Sequence, residues 1–289
     1  MIISASRRTD IPAFYSAWLK NRIEKGFCMV RNPFNPAQVR RVSLLAKDVD
    51  LFVFWTRNAL PLLPFLKQLD RNGYHYYFLY TVTAYGEDLE PHLPSQQKQI
   101  DRVKILAEQI GSDKVIWRYD PILLSVKFNI NFHTDHFAEL AKNLKPWVYR
   151  VIVSPIDMYA KTRRNLQENA AILPVDFEER VNSGLFPQLA KIAGDNHLEI
   201  QSCASRIDTS SFGIPAGKCI DDSYIQQVFS IGVSRQKDRG QRKSCSCVKS
   251  TDIGRYNSCV HGCLYCYAVQ TWKQAKTYFQ NHNVAKPEM

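Results

Sequence analysis

Cys259, Cys263 and Cys266 stand in the run Ser258-Cys259-Val260-His261-Gly262-Cys263-Leu264-Tyr265-Cys266-Tyr267-Ala268. The spacing is C-x3-C-x2-C with an aromatic residue before the last cysteine. Three thiolates in so short a loop can hold three irons of a cubane cluster and leave the fourth iron open. An open iron is a place for chemistry, whereas a fully ligated cluster mostly stores or passes an electron. Zinc is the competing use of such sulfurs. Structural zinc sites usually take C-x2-C pairs in two separated sets and close a tetrahedron with four protein ligands. His261 could be a fourth ligand, but it sits inside the x3 gap. The triad's spacing therefore favours a [4Fe-4S] cluster.

Cys203, Cys219 and the C-x-C pair Cys245 and Cys247 make a second set of four. Four is the count for a closed cluster or a structural zinc, and the sequence leaves both open. The plain alternative is that Cys203 and Cys219 are small core residues. Cys28 reads as a packed thiol with no partner. Five of the eight cysteines fall between Cys245 and Cys266, too clustered for a disulfide framework spread through the chain. In a reducing compartment such clustering signals metal or cluster ligation. The start, Met1 to Arg8, runs from apolar to charged, the reverse of a secretory signal. No apolar window is long enough to cross a bilayer. The expectation is a cytoplasmic protein with no membrane partner.

These sulfurs need a scaffold. Of 289 residues, 45% are hydrophobic, enough for a large core. Short apolar, β-branched or aromatic runs recur at Met1–Ser6, Val49–Thr56, His75–Val82, Lys114–Tyr119, Trp147–Val153 and His197–Cys203. Helical stretches separate them at Pro12–Lys25, Pro61–Asn72, Gln96–Ile110 and Thr134–Asn143, with one or two more through Met158–Ala193. Near-continuous hydrophobic strands alternating with helices imply an α/β fold with a parallel sheet. Six units suggest a TIM-like βα barrel, partial or complete. Phe27–Leu45, rich in Asn-Pro turns, predicts a hairpin insertion at residues 27–45. We expect a barrel domain over 1–205 and a cysteine-rich extension over 206–289, with helices at Asp221–Ser230 and from near Cys266 through Gln280.

In parallel barrels functional groups gather at the C-terminal strand ends. Here those ends are polar. They offer Ser4, Ser6, Arg7, Arg8 and Asp10; Thr56 and Arg57; Thr81 and Thr83; Arg118 and Asp120; Ser154 and Asp157; and Gln201 and Ser202. Each has a structural explanation of its own, such as an N-cap for Asp10 or a turn closure for Thr56 and Ser154. Together they describe a lined cavity. Arg7, Arg118 and Asp120 are the expected reacting groups, and Ser4, Arg8, Thr56, Arg57 and Ser154 the expected cofactor contacts. The formal net charge of +11 favours an anionic ligand, either a small molecule or a nucleic acid. Arginine can clamp carboxylate or phosphate with two hydrogen bonds.

The triad resembles the cluster motif of the radical S-adenosylmethionine superfamily, and Gly262-Cys263-Leu264-Tyr265-Cys266-Tyr267 is most similar to its spore photoproduct lyase branch, which repairs DNA. The resemblance implies a partial six-unit βα barrel, S-adenosylmethionine chelated by the open iron, and a 5′-deoxyadenosyl radical that abstracts hydrogen. It also implies an electron donor such as a ferredoxin or flavodoxin. In that superfamily the cluster loop follows the first strand, and a Gly-Gly-Glu string after the second grips the cofactor's methionine amine. Here Arg7-Arg8-Thr9-Asp10 follows the first strand, Trp55-Thr56-Arg57-Asn58 follows the second, and the cysteines come last. Over nearly its full length the chain also resembles a bacterial family of unknown function whose members carry a C-terminal cysteine cluster. The matching strings are Ile2 to Pro12, Val30 to Pro36, Phe54 to Asn58, Arg118 to Pro121 and Ser250 to Gly254.

The sequence thus predicts a cluster-dependent enzyme. Two other readings stand beside it. One is an open-iron Lewis acid acting without radicals. The other is a nucleic-acid-binding or repair-related protein with a structural iron–sulfur or zinc site.

Overall fold

The computed structural model describes residues 1–167, 170–174 and 184–289. Its core is one parallel sheet of β1 (Ile2–Ala5), β4 (Leu51–Thr56), β5 (Tyr76–Thr81), β6 (Val115–Ile122), β7 (Arg150–Pro155), β8 (Glu199–Ser202) and β9 (Thr251–Asp252). The order across it is β8-β7-β6-β5-β4-β1-β9. β2 (Phe27–Arg31) and β3 (Val39–Ser43) form a separate antiparallel hairpin, where the insertion was expected. The helices are α1 (Ile11–Phe14), α2 (Ser16–Lys25), α3 (Leu63–Arg71), α4 (Gln96–Ile110), α5 (Ile130–Leu144), α6 (Ala160–Leu166), α7 (Leu185–Asp195), α8 (Asp222–Phe229) and α9 (Trp272–Gln280). Among the described residues no helix is long and apolar enough to cross a membrane.

The strands are legible because both faces of the sheet are buried. One face presents Phe52, Phe54, Tyr76, Phe78, Trp117, Tyr119 and Val151 to Trp18, Leu66, Leu106, Phe137, Leu140 and Leu189 of the helices. The other presents Val53, Trp55, Tyr77, Leu79, Ile116 and Ile152, and it is not hollow. Cys203, Cys219, Ile220, Tyr224, Ile225, Cys245, Cys247 and Val248 fill it. A strand buried on both sides has no polar alternation, which is why these runs read as continuous. A closed barrel would pair the two edge strands; among the described residues β8 and β9 are not paired.

Several expected elements shift. The helix over Pro12–Lys25 breaks at Tyr15, which leaves helical geometry (φ −128°, ψ 22°) and donates its hydroxyl to Ser258 O at 2.7 Å. β6 runs on past Tyr119 through Asp120 and Pro121, with a register shift where proline cannot donate to the ladder. The last helix begins at Trp272 rather than near Cys266, with Thr271 capping Gln274 N. Part of the stretch through Met158–Ala193 lies outside the described residues. β9 is a strand the sequence did not predict.

One buried group makes stability depend on pH. His133 of α5 is fully buried, with Tyr119 Oη 2.8 Å from Nδ1 and Leu123 O 2.9 Å from Nε2. A carbonyl only accepts, so Nε2 carries the proton and Nδ1 accepts from tyrosine. Burial lowers the His133 pKa from 6.5 to about 4, against the pull of the Leu123 carbonyl. The unfolded chain then binds the proton first as pH falls, so stability is full above about 6.5 and drains away towards 4. The loss approaches ~3 kcal/mol at the low end. Chemical denaturation across that window should show the decline, and His133→Gln should flatten it.

Candidate metal centres at the strand ends

β9 is two residues long, yet it sets the site. Ile3 pairs with Thr251 and Ser4 with Asp252, in parallel. The Asp252 carboxylate accepts from Ser4 Oγ (3.1 Å), Ser6 Oγ (2.7 Å), Arg7 N (2.8 Å) and Gly254 N (3.0 Å). So tight is the junction that a Cβ on Gly254 would lie 2.1 Å from Ser6 Oγ. The chain then passes directly into the cysteine loop, whose base is closed by Asn257 N donating to Ala268 O at 2.9 Å. Gly262, at φ +73°, makes the turn between Cys259 and Cys263, and a Cβ there would strike the His92 ring at 2.5 Å.

Two buried polar clusters seat the loop on the sheet. His261 donates Nε2–H to Asp10 Oδ2 at 2.7 Å. Asp10 also accepts from Arg57 N (2.7 Å), Thr56 Oγ1 (2.7 Å) and Ala13 N (2.9 Å). An N-cap alone contributes ~1 kcal/mol and uses one oxygen; the second oxygen ties the loop to β4. The other cluster centres on Glu90, which is 2% exposed. It accepts from Arg57 Nη2 (2.9 Å), Thr83 Oγ1 (2.5 Å) and the Tyr265 hydroxyl, which also meets Arg57. Leu264 N donates to Leu89 O at 2.9 Å. The triad therefore lies over the C-terminal ends of β1, β4 and β5.

Each triad cysteine is partly exposed, but protein crowds every sulfur. Burial pushes the Cys263 thiol up to about 12, with nearby Arg57 favouring the thiolate and Glu90 opposing it. Burial likewise raises Cys259 and Cys266. Bare, the triad keeps its protons; a bound cation would remove them. Backbone N–H groups already point at the sulfurs, including Ala268 N to Cys266 Sγ at 3.4 Å and the His261 amide towards Cys259. The three thiols share one loop with amide donors and the Arg57 guanidinium nearby, but among the described residues the group whose ligand atoms all lie within 4.8 Å of one another is the inner set, not the triad.

The second cysteine set is brought together. Cys203, Cys219 and Cys247 offer ligand atoms all within 4.8 Å of one another, and the group could hold a metal ion. Cys219 Sγ is 3.0 Å from Cys203 Sγ. Cys245 hydrogen-bonds with Cys203 and Cys247. Hydrogen bonds from Cys203, Cys219 and Cys245 hold the Cys247 thiol far below its usual range, against burial and with help from Arg7. Burial works against the Arg7 charge, but Cys247, Asp252, Cys219 and Cys245 outweigh it and raise its pKa. Cys28, in the hairpin, is buried alone, and burial pushes it up to about 12.

The remaining strand-end residues divide. Arg7 and Arg118 lie on the Trp55 ring, at 5.0 Å and 4.7 Å from its centroid, and Trp55 Nε1 donates to Ser4 Oγ at 3.1 Å. Arg118 pairs with Asp120. Arg8 donates to Gly254 O at 3.3 Å and lies over Tyr256. Ser154 donates to Cys203 O at 2.9 Å, on the side of the second cysteine set. Tyr267 donates to Arg7 O at 2.7 Å, joining the two cysteine regions. Sequence reasoning missed Asp252, Glu90 and Tyr265 as site-building groups. Asp252 left one trace, since it lies in a string that carried the family resemblance. Glu90 left none, because an acid in a polar loop reads as solvated.

Neither a curated protein nor a solved structure matches the chain. A family model does, over residues 2–268. The chain belongs to that family, the domain of unknown function DUF1848.

Proposed function

We propose that the chain is an iron–sulfur enzyme of the radical S-adenosylmethionine type, with Cys259, Cys263 and Cys266 holding an open-iron [4Fe-4S] cluster. One observation carries this. Counted along the chain, the cysteine loop comes last; counted across the sheet, it follows the first strand. β9 stands at the sheet edge, its loop bears the triad, α9 follows on the helical face against Phe14 and Tyr15, and β1 is the next strand. That is the order the superfamily resemblance implies, with the first βα unit moved to the C-terminus.

Such a cluster, when bound, supplies the electron that cleaves S-adenosylmethionine. The chain's own residues do the rest. Asp10 with His261, and Glu90 with Arg57 and Tyr265, hold the loop still over the strand ends. Ser4, Ser6 and Arg8 stand at the end of β1, the second strand by spatial count, where cofactor contacts are expected. Arg7 and Arg118, stacked on Trp55, offer guanidinium groups for an anionic substrate; in its absence Arg118 pairs with Asp120 and Arg7 Nη1 donates to Ser250 Oγ.

The test is anaerobic reconstitution with iron and sulfide, then dithionite and S-adenosylmethionine. The expected result is a reduced-cluster paramagnetic signal altered by S-adenosylmethionine, and release of 5′-deoxyadenosine. A reconstituted, reducible cluster that neither changes its signal nor yields deoxyadenosine would overturn the proposal.

A further inference from the structure

The four cysteines on the inner face of the sheet stand apart from the triad in geometry and in surroundings. All four are buried: Cys203 is 6% exposed, Cys219 1%, Cys245 5% and Cys247 1%. They come from three places in the chain, namely the end of β8, the segment before α8 and the C-x-C turn. We infer that Cys203, Cys219, Cys245 and Cys247 form a closed mononuclear zinc centre, not a second cluster, and that it pins residues 203–250 to the inner face of the sheet.

Spacing decides between the two. A tetrahedron built on ~2.3 Å Zn–S bonds has sulfurs ~3.8 Å apart. Three of these cysteines lie within 4.8 Å of one another, and Cys203 and Cys219 within 3.0 Å. The thiolates of a cubane each sit beyond a different iron, with irons and sulfides between them, so they stand farther apart. Ile220, Tyr224, Ile225 and Val248 share one buried cluster with these sulfurs, which favours the smaller centre. The separation is also too long for a disulfide, whose sulfurs lie ~2.05 Å apart. Three sulfurs drawn this close with no bond between them, and Cys245 hydrogen-bonded to two of them, make a ready site for a cation.

Charge agrees with that assignment. A divalent ion on four thiolates leaves two negative charges, which a buried site must balance. Arg7 lies among Cys247, Cys219 and Cys245, Arg118 beside Cys219, and Arg242 beside Cys245 and Cys247. Arg7 Nη2 and Arg118 Nε are buried with no hydrogen-bond partner among the described residues. Arg7 and Arg118 also carry charge close enough to act on these sulfurs, while Arg118 pairs with Asp120 and Arg7 Nη1 donates to Ser250 Oγ. Four protein ligands leave no vacant position, so the role is structural. Zinc here would hold Ile220, Tyr224 and Val248 over Tyr77 and Leu79, and keep Asp252 within reach of β1.

The test uses the full chain and separates this centre from the triad. Zinc, iron and sulfide are measured in wild type, in Cys245→Ser and in the triple variant C259A/C263A/C266A. The expected result is one zinc per chain in wild type and in the triple variant, and a loss of most zinc in Cys245→Ser. Because Cys245→Ser could fail to fold, zinc-edge X-ray absorption on wild type gives an independent readout. A single shell of four sulfurs at ~2.3 Å is expected. Iron and sulfide retained by the triple variant, a nitrogen or oxygen in the zinc shell, or a folded wild type without zinc would each overturn the inference. None of these outcomes depends on whether the triad performs radical chemistry.

Discussion

Cys263→Ala is expected to leave the protein folded and to abolish the iron binding proposed for the triad. The side chain is partly exposed and lies in a loop held by other residues, so its loss should change unfolding free energy by no more than ~1 kcal/mol. The cluster depends on it far more. Two thiolates cannot retain a cubane against buffer, so reconstituted iron and sulfide should fall to background, with the visible absorbance and all deoxyadenosine formation. Cys259→Ala and Cys266→Ala should behave alike. Cys28→Ala is the control: its thiol is fully buried in the hairpin region, so truncation should lower stability by ~1 kcal/mol and leave iron content as it was. A Cys263→Ala protein that keeps full iron and sulfide would show that the cluster sits elsewhere. One that unfolds would show that the loop is structural.

The parts of this fold that were legible are those where burial dictates residue type. β4 and β5 read as Leu51-Phe52-Val53-Phe54-Trp55-Thr56 and Tyr76-Tyr77-Phe78-Leu79-Tyr80-Thr81 because both faces are covered. α4 was legible to the residue, since its buried positions Ile100, Val103, Leu106, Ala107 and Ile110 recur at helical spacing. β9 was not legible, because it is a strand by virtue of its partners. Thr251 and Asp252 have no apolar run, and what holds them is the carboxylate bonded to Ser4, Ser6 and Arg7 of β1. No pattern inside the segment signals a contact with residues almost the whole chain away.

The same division runs through the site. The triad stood out in the sequence because its three cysteines lie within eight residues on one loop, where local spacing is visible. The inner four were visible only as a count, since Cys203, Cys219 and the C-x-C pair meet by folding. The polar strand ends expected to line a cavity are largely engaged with one another. Thr56, Ser4, Ser6 and Ser154 already bond to neighbours, and the inner face below is filled. Arg7 and Arg118 lie on Trp55, whereas Arg57 is held by Glu90, Thr83 and Tyr265.

Asp252 joins these two regions, and its removal is expected to cost more stability than any triad substitution. Its side chain is 9% exposed and accepts four hydrogen bonds, two from the backbone amides of Arg7 and Gly254. In Asp252→Ala those two amides lose their partner in a site with little room for water. Each stranded donor costs ~1–3 kcal/mol, and Arg8, whose Nε lies 3.9 Å away, loses a counter-charge. The sum is ~3–5 kcal/mol, in line with breaking a buried ionic group on one side only. A melting temperature lower by roughly 10 °C should follow. The loss should not be uniform. β9 would leave the sheet edge first, because two backbone pairings with β1 do not hold a strand without the carboxylate. Amide exchange should therefore speed up at Ile253 and Gly254 and through the cysteine loop, while β4, β5 and the helices behind them stay protected. Iron retention should drop with it, since the triad would no longer be aimed at the strand ends. Asp252→Asn keeps an oxygen for one pair of donors and should fall between wild type and alanine. An alanine variant with unchanged melting temperature and full iron would mean that Asp10 with His261, and Glu90 with Tyr265, suffice to seat the loop. The edge strand would then be a consequence of the docked cysteines and not its cause.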